Sequence, residues 1–468
     1  MEQRPKKARL AASVAAGKTV TQLSRRLGTG AGSNFPGKVI LRLHPGAPEE
    51  MASFLRGGCA LVSGTNGKTT TSNLLAGMMR AGGMHPVHNR VGANLMTGIT
   101  AALAQSSDRK GRPRGDIGLF EVDEATLPIA VRRLRPHLVI VTNLFRDQLD
   151  RYGELESLSR KMDAALSDLD ADAAVLLNAD DSLVASLGRD CPARIYYYGI
   201  EYEGVAEAGL RHAADSKHCR ECGSPLEFEA NYFGHMGKYS CPGCGAARPP
   251  VDFAAIHIEL SGTAGSQVDL STPSWQAEVF LGLPGLYNIH NLLAACGGAQ
   301  LLGLGREAVQ QGVEGYSTAF GRGERIPVDG RTLFLVLSKN PTGFNEVIRT
   351  LQGEGTGLAV LAALNDRIAD GRDVSWIWDV DFEELAPLTR SLVATGTRAR
   401  DMAVRMKYAG LDPSAIRVEP DLKDALRAAL DGAGEGETVY ALTTYTATLD
   451  LRRLLTRMGA APGLWKGG

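Results

Sequence analysis

A chain of 468 residues is too long for one hydrophobic core and predicts two or three domains. Its 44% hydrophobic and 22% charged residues are those of an ordinary globular protein, and a formal net charge of −1 excludes a broad basic surface, so no nucleic acid is expected as a partner. No run of 18 or more apolar residues occurs, which excludes a spanning helix and predicts a cytoplasmic protein.

The N-terminal segment, residues 1–50, opens with Arg4, Lys6, Lys7 and Arg9 and becomes Ala-rich. Over 8–27 it sets Leu10, Val14 and Leu23 among small residues and Lys18, Arg25 and Arg26, which predicts a weakly amphipathic helix. Two fates are open to it: packing on the first domain, or peripheral contact with the inner face of a membrane.

Cys59-Ala60-Leu61-Val62 is a short apolar run of strand type, and 70–80 carries Leu74, Leu75, Met78 and Met79 at helical spacing. Between them stands Ser63-Gly64-Thr65-Asn66-Gly67-Lys68-Thr69-Thr70-Thr71. Such a loop binds nucleotide phosphates: N–H groups freed at the helix start point outward, Gly64 and Gly67 allow close approach, Lys68 supplies charge, and the Thr69 hydroxyl suits Mg²⁺. ATP is the expected ligand. The usual G-x-x-x-x-G-K-[ST] spacing needs glycine at 62, where Val62 stands, so the loop is a shorter variant; the competing reading is a glycine turn with a surface lysine.

Strand-like runs recur at 117–122, 138–142 and 174–177 with helical periodicity between them, the rhythm of a mostly parallel α/β sheet. The rhythm breaks near 203 at a polar, Gly-rich insertion. Within it Cys219-x-x-Cys222 and Cys241-x-x-Cys244, each pair followed by glycine, have the spacing of two knuckles closing a zinc ribbon. Four thiolates leave Zn²⁺ no open position, so the metal is structural, and binding worth roughly 10–16 kcal/mol in small peptides suffices to fold an insertion with little core. Disulfides in a secreted protein are the competing reading; His212, His218 and His235 are not needed as ligands. Strand sequence resumes at 255–260, a helix is predicted over 288–302, and a second α/β rhythm runs through 333–337, 358–364, 391–394 and 439–442. The expected domains are a central ATP-binding domain over 51–318 holding the insertion at 205–252, and a C-terminal domain over 319–468, with a linker at 316–327.

Three further stretches accompany the loop: Glu121-Val122-Asp123-Glu124, the run from Thr142-Asn143 through Asp147-Gln148-Leu149-Asp150 to Gly153, and Gly285-Leu286-Tyr287-Asn288-Ile289-His290-Asn291. Together they resemble the Mur ligase family over most of 55–330. The Cys₄ insertion, Lys339-Asn340-Pro341-Thr342-Gly343 and the stretch 365–379 resemble one branch of it, MurT, nearly end to end. The resemblance implies a Mur-ligase-like P-loop domain with a zinc-ribbon insertion and a C-terminal Rossmann-like α/β domain. It also implies amidation of the D-glutamate α-carboxylate of lipid II, or a related muropeptide, through an acyl phosphate. Ammonia would come from a GatD-type glutaminase subunit.

Roles carry over by position. Thr65, Asn66, Gly67, Lys68, Thr69 and Thr70 would wrap the phosphates, with Lys68 at the β/γ end and Thr69 and Glu121 on Mg²⁺. Asn291 would meet adenine, while Arg322 and Lys339 would reach the nucleotide; for these last three the structural alternative is caps and surface charge. Where relatives carry Asp-His-x-Asp this chain has Asp147-Gln148-Leu149-Asp150, and no carbamylated lysine is expected, Asp163 standing near that position with Lys161 two residues before. Glutamine hydrolysis needs a thiolate, a histidine and an orienting carboxylate. Four of seven cysteines are claimed by zinc, and Cys59, Cys191 and Cys296 are expected in strand or helix contexts that suit a small buried hydrophobe. The resemblance implies that the partner supplies cysteine and histidine while this chain lends an aspartate, Asp370, with Asp366, Asp373 and Asp379 as alternatives on the same loop. The plain reading of Asp370-Gly371 is a turn. Two rival functions are a stand-alone amino-acid ligase of the muramyl or folate type and a zinc-ribbon ATPase acting on nucleic acid.

Overall fold

The computed structural model describes residues 3–26, 34–89, 92–146, 155–207, 215–316 and 322–462. Strand Cys59–Ser63 is buried along its whole length, as a continuous apolar run requires when helices cover both faces of a parallel sheet. It lies inside a nine-stranded sheet of order Gln276–Leu281, Ser266–Ser271, Phe253–Leu260, Arg194–Ile200, Ala174–Asn178, Leu138–Val141, Cys59–Ser63, Ile117–Glu121, Pro86–His88. All neighbours are parallel except the first two pairings. Alternate residues feed two cores: Ala60 and Val62 pack with helices Lys68–Ala81 and Leu286–Leu301, while Cys59 and Leu61 pack with Met96–Ser106 and Leu127–Leu134.

The N-terminal helix Gln3–Arg26 joins the second of these cores through Leu10 and Val14, so packing on the first α/β layer is the fate the structure shows. A second sheet has the order Arg322–Val328, Arg331–Leu337, Thr438–Thr443, Leu358–Ala363, Thr389–Thr395, Ile416–Val418, parallel except for the first pair. That first pair replaces much of the expected linker at 316–327. Asp329 and Gly330 both take positive φ (47° and 74°), the two-residue turn that matches strand twist, and Pro327 is tolerated because its strand is an edge.

The Cys-bearing insertion contributes its own hairpin, Glu227–Phe233 with Met236–Ser240. Where it rejoins the sheet, a buried polar knot fixes it. Asp180, wholly buried, accepts from Arg248 Nε at 2.6 Å, His290 Nε2 at 2.7 Å and Ile200 N–H at 2.9 Å. Burial alone would raise this carboxyl; the His290 hydrogen bond and the Arg248 charge outweigh it and hold the group below the ordinary range. Asp180→Asn is expected to destabilise the chain by about 1–3 kcal/mol in urea unfolding at neutral pH, because Arg248 and His290 lose a buried charged acceptor while Arg248 keeps Glu201 Oε1 at 2.7 Å. A depressed folded pKa confines the wild-type group's acid loss to below about pH 4, so the variant should lack that component of acid unfolding.

Candidate nucleotide site and metal centre

The loop after strand Cys59–Ser63 turns into helix Lys68–Ala81 through Gly67, whose φ of +83° is left-handed. A Cβ there would fall 1.9 Å from Asn291 Oδ1, so only glycine lets the loop and helix Leu286–Leu301 meet. Thr142 and Asn143 strap the loop from the next strand: Thr65 N–H donates to Asn143 O at 2.8 Å, Asn66 N–H to Asn143 Oδ1 at 2.8 Å, and Thr142 Oγ1 to Asn66 O at 2.7 Å. Backbone amides at the helix start are thereby preset for an anion.

Lys68 is nearly buried. Its Nζ donates to the carbonyls of Gly64 and Thr65 and lies 3.3 Å from Glu124 Oε2. Thr69 Oγ1 donates to Glu121 Oε2 at 2.8 Å, so a hydroxyl and a carboxylate converge as a hard cation requires, and these two residues fit Mg²⁺. From the second sheet, Asn340 caps helix Pro341–Gln352 by accepting from Gly343 N–H at 2.9 Å and reaches Asn66 Oδ1 at 3.2 Å.

These groups enclose one cavity of about 750 Å³ between the two sheets. Thr65, Asn66, Gly67, Lys68, Thr69, Glu121, Asn291 and Lys339 all line it. Thr70 does not: one residue further round the helix, it points into the core at 1% exposure. Arg322 is described only in its backbone, and Asp147-Gln148-Leu149-Asp150 lie outside the described residues. Asp163 faces elsewhere, accepting from Gly188 N–H at 3.0 Å and pairing with Arg220 of the insertion, so it does not stand in for a metal-bearing lysine at the cavity.

Residue type and spacing alone give no role to Glu124, Asn143, Asn340 or Tyr445, although the first three lie inside the motifs described above. Tyr445 begins helix Tyr445–Arg457 and lines the cavity; burial, then the charges of Glu121 and Asp370, push its hydroxyl up. Asp370 itself is buried, its Oδ1 accepting from Thr446 N–H at 2.7 Å and its Oδ2 from the Thr446 hydroxyl. It caps that helix. Asp366 bonds Thr397, Asp373 caps the turn at Ser375, and Asp379 is exposed.

The four cysteine sulfurs lie within 4.8 Å of one another, Cys222 to Cys241 at 3.4 Å and Cys219 to Cys244 at 3.6 Å. Sulfurs about 2.3 Å from a tetrahedral zinc stand roughly 3.8 Å apart, whereas a disulfide needs about 2.05 Å. Cys219, Cys222, Cys241 and Cys244 therefore fit a closed structural Zn²⁺ site.

Comparison with known proteins agrees with this geometry. Residues 62–237 match the family described as Mur ligase middle domain, and residues 337–448 match MurT ligase C-terminal. The chain is 32% identical over 429 residues to the lipid II isoglutaminyl synthase (glutamine-hydrolyzing) subunit MurT of Streptococcus pneumoniae, covering 91% of this chain and 93% of the relative. The chain belongs to the MurT branch of the Mur ligase family. The Staphylococcus aureus MurT subunit is 30% identical over 94% of this chain and 96% of its own length. The fold alone is shared with a pseudomurein peptide ligase type C from Methanothermus fervidus, at a TM-score of 0.65 and 21% identity over 86% of this chain and 79% of that one. As a MurT-type chain this is an ATP-dependent ligase, with the Mur-ligase α/β fold and a C-terminal sheet domain. Among the described residues no helix is long and apolar enough to cross a membrane.

Proposed function

We propose that this chain uses ATP and Mg²⁺ to convert the D-glutamate α-carboxylate of the lipid II stem peptide into an amide, giving D-isoglutamine, with ammonia delivered by a GatD-type glutaminase subunit. A substrate carboxylate oxygen attacks the γ-phosphorus and ADP leaves; ammonia then adds to the acyl carbon, phosphate departs, and the nitrogen gives up a proton. The observation that carries the reading is the convergence, in one cavity, of the phosphate loop, Glu121 and Lys339 from opposite sheets. Lys68 and the loop amides bind the transferring phosphoryl group, and Glu121 and Thr69 hold the cation. Bound Mg²⁺ would supply positive charge against the charge that develops on the phosphate oxygens. Lys339 and Asn340 close the cavity from the C-terminal half and keep water from the labile acyl phosphate.

The need for a partner rests on the remaining thiols. Burial pushes Cys59 and Cys296 up to about 12 and also raises Cys191, so none suits a nucleophile. Around the aspartate-bearing loop 365–379, Ile368 is 82% exposed, Trp378 52% and Tyr408 71%, with the Trp378 and Tyr408 rings 5.8 Å apart. Exposed apolar side chains of this kind on the C-terminal half suit a docked glutaminase. A lipid-linked substrate places the work at the inner membrane face. Helix Phe35–Leu43 shows solvent Phe35, Lys38, Arg42 and Leu43 along one side, a composition that suits peripheral contact with anionic headgroups.

The test is synthesis by the purified chain given Mg²⁺, ATP and lipid II or a soluble muropeptide. Ammonium salts should yield the amide and equimolar ADP, free amino acids should yield nothing, and glutamine should serve only when the glutaminase is added. An amino-acid adduct would establish the stand-alone ligase instead.

A further inference from the structure

Helix Pro341–Gln352 begins directly after Lys339 and Asn340, both of which line the nucleotide cavity, so the placement of this helix decides where the two residues stand. It is tied to the first half of the molecule at three levels. At its start Asn340 Nδ2 donates to Asn66 Oδ1 of the phosphate loop at 3.2 Å. Just past its end Glu354 Oε1 accepts from the Thr263 N–H at 2.7 Å and from the Thr263 hydroxyl at 2.9 Å, in the turn Gly262–Ala264. Between these ends Arg349 turns every nitrogen of its guanidinium on the Cys-bearing insertion: Nη1 donates to Tyr232 O, Nη2 to Val205 O at 2.8 Å, and Nε lies 3.2 Å from Glu207 Oε1. Val205 and Glu207 stand where the insertion begins, Tyr232 in its hairpin strand Glu227–Phe233, and the Glu207 N–H joins the two by donating to Asn231 O at 2.7 Å. The Arg349 and Glu207 side chains are only 17% and 24% exposed, so the pair is partly screened from water. The hairpin tip approaches the same helix, a Cβ on Gly234 falling 3.4 Å from Thr342 Cγ2. The tie at Asn66 is one neutral hydrogen bond; the charge-assisted ones at Arg349 and Glu354 are the stronger.

We infer that the Cys-bearing insertion is a brace between the two halves, and that Arg349 is the positioning residue through which it sets Lys339 and Asn340 over the phosphate loop. The assignment rests on the ligase reading above. The helix is a lever: Lys339 and Glu354 are fifteen positions apart, roughly 20 Å along a helix, so a tilt of about 3° about the Glu354 end shifts Lys339 by about 1 Å. A misplacement of about 1 Å can cost about 10²-fold in rate, and a gap at the phosphate loop admits water. Water that adds to the acyl carbon expels phosphate and returns the carboxylate, so ATP is consumed and no amide forms. A loosened brace therefore makes ADP in excess over amide, which a loss of folded protein alone does not.

Arg349→Met in the full chain removes the guanidinium fork and keeps an unbranched side chain. With ammonium as the nitrogen source and a soluble muropeptide as acceptor, it should lower amide formation by about 10- to 100-fold and raise the ADP-to-amide ratio from one to about two or more. Hydrogen exchange should quicken together in the hairpin 227–240 and the helix 341–352, two segments that only the brace connects to one another's motion. Arg349→Lys keeps a charge for Glu207 but lacks the planar fork that serves both carbonyls, so it should move each readout in the same direction by less, and it takes the place of the methionine variant if that chain does not fold. A folded variant with the wild-type rate, or with a lowered rate and a ratio still at one, overturns the assignment, as does exchange unchanged in both segments. A wild-type chain that makes no amide overturns the ligase reading instead, and the exchange of the two segments then decides the brace by itself.

Discussion

Lys68→Met is expected to lower ATP-dependent amide formation by about 10²–10³-fold or more while the chain remains folded, read as ADP release with ammonia as the nitrogen source. The ammonium is nearly buried and is held by the Gly64 and Thr65 carbonyls and by Glu124, so it sits preset beside the loop amides and needs no reorganisation when charge develops on the phosphoryl oxygens. Its removal has a second consequence, because Glu124 then keeps a carboxylate in a site with 5% exposure and without its cation. The two effects separate in the double variant Lys68→Met/Glu124→Gln. Neutralising Glu124 should return much of the lost unfolding free energy, measured in urea, and none of the lost turnover. If the double variant also recovered activity, Lys68 would be a structural counter-ion and not the group that meets the phosphates.

Much of this arrangement is legible in the sequence, and the reasons are specific. Strand Cys59–Ser63 is an apolar run because both its faces are covered, and the glycine at 67 is required by the approach of Asn291; features forced by burial or backbone sterics leave marks in sequence. The cysteine spacing is legible because tetrahedral coordination by two short knuckles permits few alternatives. Strands Ser266–Ser271 and Gln276–Leu281 escaped because each buries only alternate residues at the sheet edge, which leaves two or three apolar positions apiece. The edge strand Arg322–Val328 was hidden by Pro327, although Asp329-Gly330 carried a hairpin signal. Periodicity could place neither Phe233 at the cavity nor Glu124 beside Lys68. Their partners, Phe145 and Lys68, are 88 and 56 positions away, and only tertiary packing brings them together.

Asp370→Asn should preserve ammonia-dependent synthesis and reduce glutamine-dependent synthesis by about 10²–10⁴-fold in the presence of the glutaminase, the scale on which an orienting aspartate acts in hydrolytic triads. The amide is chosen because the carboxylate has a visible second duty as the cap of helix Tyr445–Arg457, accepting both the N–H and the hydroxyl of Thr446. Asparagine still accepts the N–H and turns a donor to the hydroxyl, so the cap survives while the charge is lost. Asp370→Ala removes both and should cost about 0.5–2 kcal/mol of stability in urea unfolding. Unchanged glutamine use in the asparagine variant would leave Asp370 a cap alone and move the aspartate lent to the glutaminase to Asp366, Asp373 or Asp379. Equal loss with glutamine and ammonia would place Asp370 in the synthetase. The structure offers a route for that outcome as well, since Tyr445 lines the cavity and its hydroxyl is pushed up by burial first and then by the charges of Glu121 and Asp370. One side chain thus lies within electrostatic reach of the cation carboxylate and of the loop proposed to face the glutaminase. A Tyr445→Phe chain, which keeps the ring and removes the hydroxyl, should therefore alter the ratio of glutamine-dependent to ammonia-dependent rate if charge on Asp370 is sensed at the nucleotide.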